Sequence, residues 1–201
     1  MVNQYHKLIQ LNNMATVYRN GTYVAFHAQG TNVPIDTDMK YYNLLKAWSA
    51  KKDDDFTFAN SHEKTSALRT SSLKETLKNR LSERLRNYSK QMILLIGDTT
   101  KDDKDWVPFE ISYAIYTCKI PIIVTYVEID YGIRNPSALS HLWPAALKER
   151  IENNTASCIH IPFKKAAIMD ALRFDINNKP LGGGLGIYND DAYKSFEIRL
   201  I

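Results

Sequence analysis

Apolar residues along the 201-residue chain form two alternating kinds of segment. Continuous apolar runs occur at 22–26, 92–96, 120–127 and 157–161, which is typical of strands that are covered on both faces. Between these runs, apolar positions recur every three or four residues, the spacing of one helix face. The clearest helical stretch carries Leu73, Leu77, Leu81 and Leu85. The pattern therefore predicts strands and helices in alternation.

Local signals set the expected bounds of these elements. Ser72 and Glu75 form a capping box, which predicts a helix from Ser72 to about Asn87. Asp105 is the expected N-cap of a helix that begins at about Trp106. Further helices are predicted at 39–50, 143–152 and 163–174, with a short additional strand at 56–58.

Alternating strands and helices predict right-handed crossovers and a parallel, doubly wound sheet. Five strands indicate an α/β, flavodoxin-like fold of strand order 2-1-3-4-5. We expect one domain at 21–176, an N-terminal extension at 1–20, and a C-terminal tail at 177–201 that packs on the domain.

Composition narrows the class of protein. Apolar residues make up 44% and charged residues 24%, as in soluble globular domains, and no run of about 18 apolar residues indicates a membrane span. Met1 to Met14 lacks the features of a secretory signal, and both cysteines lie in apolar stretches, so we expect a cytoplasmic protein. The net charge of +4 comes from interspersed residues, which argues against nucleic-acid binding. No Cys or His cluster has metal-ligand spacing.

In a doubly wound sheet, ligands bind beyond the carboxyl ends of the strands, where the strand order reverses. That switch point lies between the first and third strands, at the loops 27–34 and 97–105. The residues expected to converge there are Phe26, His27, Gln29, Gly30, Asp98, Trp106 and Glu110.

Glu110 is the residue among these with the clearest chemistry. It lies four positions before Ala114 and so borders the buried stripe of its helix. A carboxylate beside an aromatic ring can stabilise a developing cation or orient a ribose hydroxyl. An ordinary glutamate placed near a helix start for the dipole has the same spacing, and both interpretations stay open on spacing alone.

The segment Asp105-Trp-Val-Pro-Phe-Glu110 follows the strand Ile93-Leu-Leu-Ile96 and resembles the W-x-x-x-E segment of TIR domains. The order of Tyr23-Val-Ala-Phe-His27, Phe56-Thr-Phe58 and this strand is similar to that of the TIR-like ThsB proteins of the Thoeris antiphage system. The layout extends over about 22–175, and its specific part is 91–127.

The resemblance implies that Glu110 breaks the nicotinamide–ribose bond of NAD+ and that Trp106 lines the substrate pocket. It implies nucleotide contacts from Phe26, His27 and Gln29. NAD+ is then a substrate, with no further cofactor. Water capture gives ADP-ribose, whereas capture by an internal hydroxyl gives a cyclic signal for a downstream effector, and the sequence does not choose between them. Assembly into a homo-oligomer is also left open.

Other interpretations remain. His27 and Pro108 depart from the usual TIR pattern, which favours a non-catalytic TIR-like module that binds a nucleotide or assembles with partners. A flavodoxin-type cofactor binder is disfavoured because the first loop lacks a Ser/Thr-rich phosphate cradle. The glycines at 182–186 predict a hairpin or a tail turn rather than a phosphate loop, since no strong strand precedes them and no helical pattern follows them. His160 is interpreted as a structural strand residue.

Overall fold

The computed structural model describes residues 19–27, 38–50, 59–60 and 74–201. The predicted strand at 56–58, Ser72 of the predicted capping box, and most of the predicted extension at 1–20 lie outside these residues. The strands are β1 Gly21–Ala25, β2 Ala59–Asn60, β3 Ser89–Ile96, β4 Ile122–Tyr126 and β5 Cys158–Pro162. The α-helices are α1 Met39–Ala50, α2 Lys74–Tyr88, α3 Trp106–Ser112, α4 Ala145–Glu152, α5 Lys165–Ala171 and α6 Asp190–Ser195.

All strand pairs in the sheet are parallel. A continuous ladder joins β1 to β3, β3 to β4, and β4 to β5. On the outer side of β1, Ala59 and Asn60 pair with Gly21 and Thr22, so the sheet order is β2-β1-β3-β4-β5. The predicted α/β class and parallel sheet are confirmed. The reversal of order between β1 and β3 makes their carboxyl ends the place where a crevice can open.

The sheet is buried on both faces, which explains its continuous apolar runs. The face that we call the front carries Tyr23 and Leu94 and is covered by α2, α3 and α4. The face that we call the back carries Val24 and Leu95 and is covered by α1, α5 and α6. Because side chains alternate along a strand, neighbouring residues serve the two different cores.

Two helices differ from their predicted form for local reasons. Helix α3 continues past Ser112 as a π-helical segment, Tyr113–Cys118, which ends at Lys119 in the left-handed conformation with φ 59°. The helix predicted from Trp143 begins at Ala145, because Pro136–Leu142 form a separate 3₁₀ segment and Trp143 is extended. In the described part of the chain, no helix has the length and apolarity needed to cross a membrane.

The C-terminal residues lie against β5 and the back core. Tyr193 is fully buried there, and Gly186 bridges to Ile159 at the edge of β5. A Cβ at Gly186 would clash with the backbone carbonyl of Cys158, so this close approach requires glycine. The Gly182–Gly186 segment is therefore a turn, with a short 3₁₀ segment at Gly183–Leu185, that lies against β5.

Candidate functional site

Helix α3 starts from a cap that differs from the prediction. Asp105 occupies the N-cap position, but its side chain makes no cap hydrogen bond and instead forms an exposed ion pair with Lys74 at 2.6 Å. The carboxylate of Asp103 accepts the backbone N–H groups of Asp105 and Trp106 at 2.8 and 2.9 Å. A buried aspartate two residues earlier thus satisfies the first turn and fixes the direction of α3.

Glu110 lies one turn into α3 and points into the front face of the sheet. Its side chain is 2% exposed, and its Oε1 accepts a hydrogen bond of 2.7 Å from the hydroxyl of Tyr23 on β1. Burying a carboxylate is costly unless hydrogen bonds replace its water. The buried Tyr23 hydroxyl donates one such hydrogen bond, which joins helix α3 to strand β1.

Trp106 lies one turn before Glu110 on the same side of α3. Its ring is half-buried and packs against the edge of the front core. Residues four positions apart on a helix are neighbours on its surface, so the indole and the carboxylate share one side of α3. A half-buried aromatic ring and a buried carboxylate therefore lie one turn apart on α3.

A second polar cluster lies at the carboxyl ends of β1 and β3. The Thr100 hydroxyl donates to the carboxylate of Asp38 at 3.0 Å and accepts the backbone N–H of Gly97 at 2.9 Å. Nearby, the hydroxyl of Thr99 lies 3.3 Å from Nδ1 of His27. These contacts join the start of α1 to the loops after both strands.

Asp38 is the acidic residue of this cluster and is 7% exposed. Burial raises the pKa of its carboxyl group above the usual range, while the hydrogen bond from Thr100 and the nearby His27 oppose that rise. A Cβ added to Gly97 would lie 2.5 Å from Oδ1 of Asp38, so glycine leaves room for the carboxylate. Asp38 was not among the predicted site residues, although its place just before a predicted helix is an N-cap signal.

The other predicted site residues do not all lie together at the switch point. His27 reaches the third-strand loop through Thr99, and Asp98 is exposed in that loop. Phe26 is 4% exposed, and its ring stacks on Tyr42 in the back core at 5.1 Å. Its side chain is therefore a packing group on the face opposite Glu110. Gln29 and Gly30 lie outside the described residues.

The hydrogen bonds of His160 confirm the prediction that it is a structural strand residue. The indole N–H of Trp143 donates to the hydroxyl of Tyr126 at 2.6 Å, and that hydroxyl lies 2.9 Å from Nδ1 of His160. Nε2 lies 2.8 Å from the carbonyl oxygen of Gly184, which can only accept. The neutral ring therefore donates a hydrogen bond from Nε2 to Gly184 and accepts a hydrogen bond from the Tyr126 hydroxyl at Nδ1. Burial lowers its pKa to about 4.

Cys118 and Cys158 are both buried free thiols. Burial raises the pKa of Cys118 to about 11 and that of Cys158 to about 12, so both remain thiols at neutral pH. Within the described part of the chain, no group of three or more His, Cys, Asp or Glu side chains could hold a metal ion.

A family model described as "Thoeris protein ThsB, TIR-like domain" matches residues 23–131. The match covers just over half of the 201 residues. It begins at Tyr23, contains Asp38, Trp106 and Glu110, and extends beyond the end of β4. Both polar clusters, Tyr23 with Glu110 and Asp38 with Thr100, thus fall inside the matched region.

Proposed function

Since this chain belongs to the Thoeris ThsB family of TIR-like domains, we propose that it cleaves NAD+ at the nicotinamide–ribose bond with Glu110 as the catalytic residue. The family connects the chain to Thoeris antiphage defence. The observation that carries the proposal is the hydrogen bond by which Tyr23 fixes the Glu110 carboxylate, with the Trp106 ring on the same side of α3.

The proposed role of Glu110 is to stabilise positive charge on the ribose by electrostatic attraction. As the bond between ribose C1′ and the nicotinamide nitrogen breaks, its electron pair leaves with nicotinamide and the ribose becomes an oxocarbenium-like cation. A carboxylate in a site of low dielectric offsets that charge far better than one in water. Water then attacks C1′ and loses a proton, which gives ADP-ribose. Attack by a hydroxyl of the same molecule gives a cyclic nucleotide instead, the product that we assign to this protein.

In this mechanism NAD+ lies at the switch point of a flavodoxin-like, five-stranded sheet of order 2-1-3-4-5. Trp106 lines the pocket, and His27, Gln29, Gly30 and Asp98 contact the nucleotide. Phe26 contributes by supporting the first loop, since its ring packs on Tyr42. NAD+ is consumed as substrate, so no separate cofactor is required.

The wider role follows from the product. A cyclic nucleotide diffuses in the cytoplasm and activates a downstream effector, so the enzyme and its effector need no direct contact. Assembly of several copies of the chain is part of the proposal. Membranes and nucleic acid have no part in it.

A non-catalytic module is the second candidate, and the burial of Glu110 favours it. A carboxylate that is 2% exposed and bonded to a core phenol also fits a purely structural residue that ties α3 to β1. In that case the domain binds a nucleotide, or assembles with partners, without breaking a bond.

Nicotinamide release from NAD+ by the purified protein separates the two candidates. We expect Glu110→Gln to reduce release at least about a hundredfold, since it removes the charge and keeps the shape. The matched control is Glu152→Gln, an exposed glutamate on α4, which should leave release unchanged. Each protein is assayed with and without a crowding agent that promotes assembly. Equal release from wild type and Glu110→Gln would exclude a catalytic role for this residue.

A further inference from the structure

The bond between Tyr23 and Glu110 joins two parts of the chain that are 87 positions apart. Tyr23 is fully buried at the centre of β1, where it pairs with Met92 of β3. Glu110 is on α3, which covers the front face of the sheet. The phenol is therefore anchored in a hydrogen-bonded strand, and the carboxylate it holds is on a separate element.

The direction of the hydrogen bond follows from acid strength. A phenol is a much weaker acid than a carboxyl group, so the proton remains on Tyr23, whose hydroxyl donates the hydrogen bond that Oε1 of Glu110 accepts. A donor that bonds to the charged form of an acid favours that form. Bonds from O–H to a carboxylate are also among the stronger hydrogen bonds in proteins. The 2.7 Å contact therefore acts against the effect of burial, which favours the neutral acid.

Glutamate has three rotatable side-chain bonds, and fixing them costs free energy that a flexible residue must recover from its contacts. Tyrosine has only two such bonds, and the ring of Tyr23 is immobilised by the front core. Contact with this ring restricts where the Glu110 carboxylate can lie. A restricted, ionised carboxylate needs little reorganisation when positive charge develops beside it.

We propose that Tyr23 is the positioning residue for Glu110, whose phenol holds the catalytic carboxylate ionised and aimed at the reacting ribose. The proposal rests on the proposed NAD+ cleavage. It adds a residue of the first strand to the site, at the position where the family match begins.

Steady-state kinetics of Tyr23→Phe test the proposal through its kcat, its KM and its pH profile. Removal of the Tyr23 hydroxyl should lower kcat about tenfold and leave KM within about twofold, since its hydrogen bond to Glu110 acts on the charged transition state. The acid limb of the pH–rate profile should move to higher pH, because the carboxylate has lost a donor that favoured its charged form. The control is Tyr193→Phe, which removes the hydroxyl of a buried tyrosine in the back core. It should leave both the rate and the pH profile unchanged.

A second measurement does not depend on activity. The titration midpoint of the Glu110 carboxyl carbon, followed by NMR on protein labelled at glutamate, should rise in Tyr23→Phe and stay constant in Tyr193→Phe. A midpoint unchanged in Tyr23→Phe overturns the proposal. If that midpoint rises while wild type and Glu110→Gln release nicotinamide equally, the bond exists but the catalytic function of Glu110 has failed. If Glu110→Gln is inactive while Tyr23→Phe keeps the wild-type rate and pH profile, only the positioning role has failed.

Discussion

Thr100 shows how one hydroxyl can serve two buried groups at once. It accepts the N–H of Gly97 and donates to the carboxylate of Asp38, and all three residues are buried. A buried polar group that loses its partner costs more than the bond itself contributed, because its water is not restored. The loops at the switch point thus depend on this side chain.

Thr100→Val keeps the shape of the side chain and removes the hydroxyl. We expect the free energy of unfolding to fall by about 1–3 kcal/mol, since the N–H of Gly97 and the carboxylate of Asp38 both lose a partner. Urea denaturation followed by circular dichroism measures the change. Thr117→Val is the control at an exposed site and should change stability by less than about 0.5 kcal/mol. A similar small effect at Thr100 would show that the cluster contributes nothing to stability.

The sequence pointed to Trp106 and Glu110 because their segment resembles the W-x-x-x-E segment of TIR domains, and both residues lie on one helix. It could not predict that Asp38 meets Thr100, since 62 positions separate them and no local pattern links the two. It also grouped Phe26 with the site from its position after β1. In the folded protein the alternation of side chains along the strand turns this ring to the back face.

Strand β5 and the C-terminal turn are held together by a chain of hydrogen bonds through His160. The bonds run from Trp143 to Tyr126, then to the imidazole, and finally to the carbonyl of Gly184. A protonated ring would carry a second N–H, which would face a Tyr126 hydroxyl that is already receiving one hydrogen bond. The network therefore requires the neutral ring.

Acid should weaken this part of the fold first. The pKa of His160 is about 4 in the folded protein against an ordinary 6.5, so between these values the unfolded chain binds a proton that the folded chain does not. The stabilisation is complete above pH 6.5 and is lost as pH falls towards 4, by about 3 kcal/mol in total. Urea denaturation at pH 7.0, 5.5 and 4.5 measures this loss.

The matched variant for the pH series is His160→Gln, whose amide N–H can reach for the same carbonyl but does not titrate. It should be less stable than wild type at pH 7, because the shape of the ring is lost, and its stability should depend less on pH between 6.5 and 4.5. Equal pH dependence in the two proteins would mean that other groups cause the loss.

The C-terminal residues cover the outer edge of β5 and contribute side chains to the back core. Tyr193 and Ile198 are buried in that core, and Arg134 binds the carboxylate of Asp190 at 2.6 and 2.9 Å. At Gly132 the backbone N–H donates to the carbonyl of Arg199 at 2.9 Å. The segment is an integral layer over β5.

Deletion of residues 177–201 should therefore lower the melting temperature by at least about 10 °C, because losing one buried aromatic ring alone costs about 3–5 kcal/mol. Thermal denaturation followed by circular dichroism measures the change. Deletion of Ile201 alone is the control, since that residue is 70% exposed, and it should shift the midpoint by only a few degrees. A stable, cooperative 1–176 fragment with the wild-type midpoint would contradict the role of this segment.

The pattern of apolar and polar residues was sufficient to predict the α/β class, the parallel sheet and the helix that carries Trp106 and Glu110. These features follow from continuous apolar runs and from apolar positions that recur every three or four residues, which are local properties of the chain. Only the tertiary structure decided which side chains meet: Tyr23 with Glu110, Asp38 with Thr100, and His160 with Gly184. These pairs lie 87, 62 and 24 positions apart and carry no periodic signal. They form because the sheet and its helices bring distant segments to one place, where each buried polar group must find a partner.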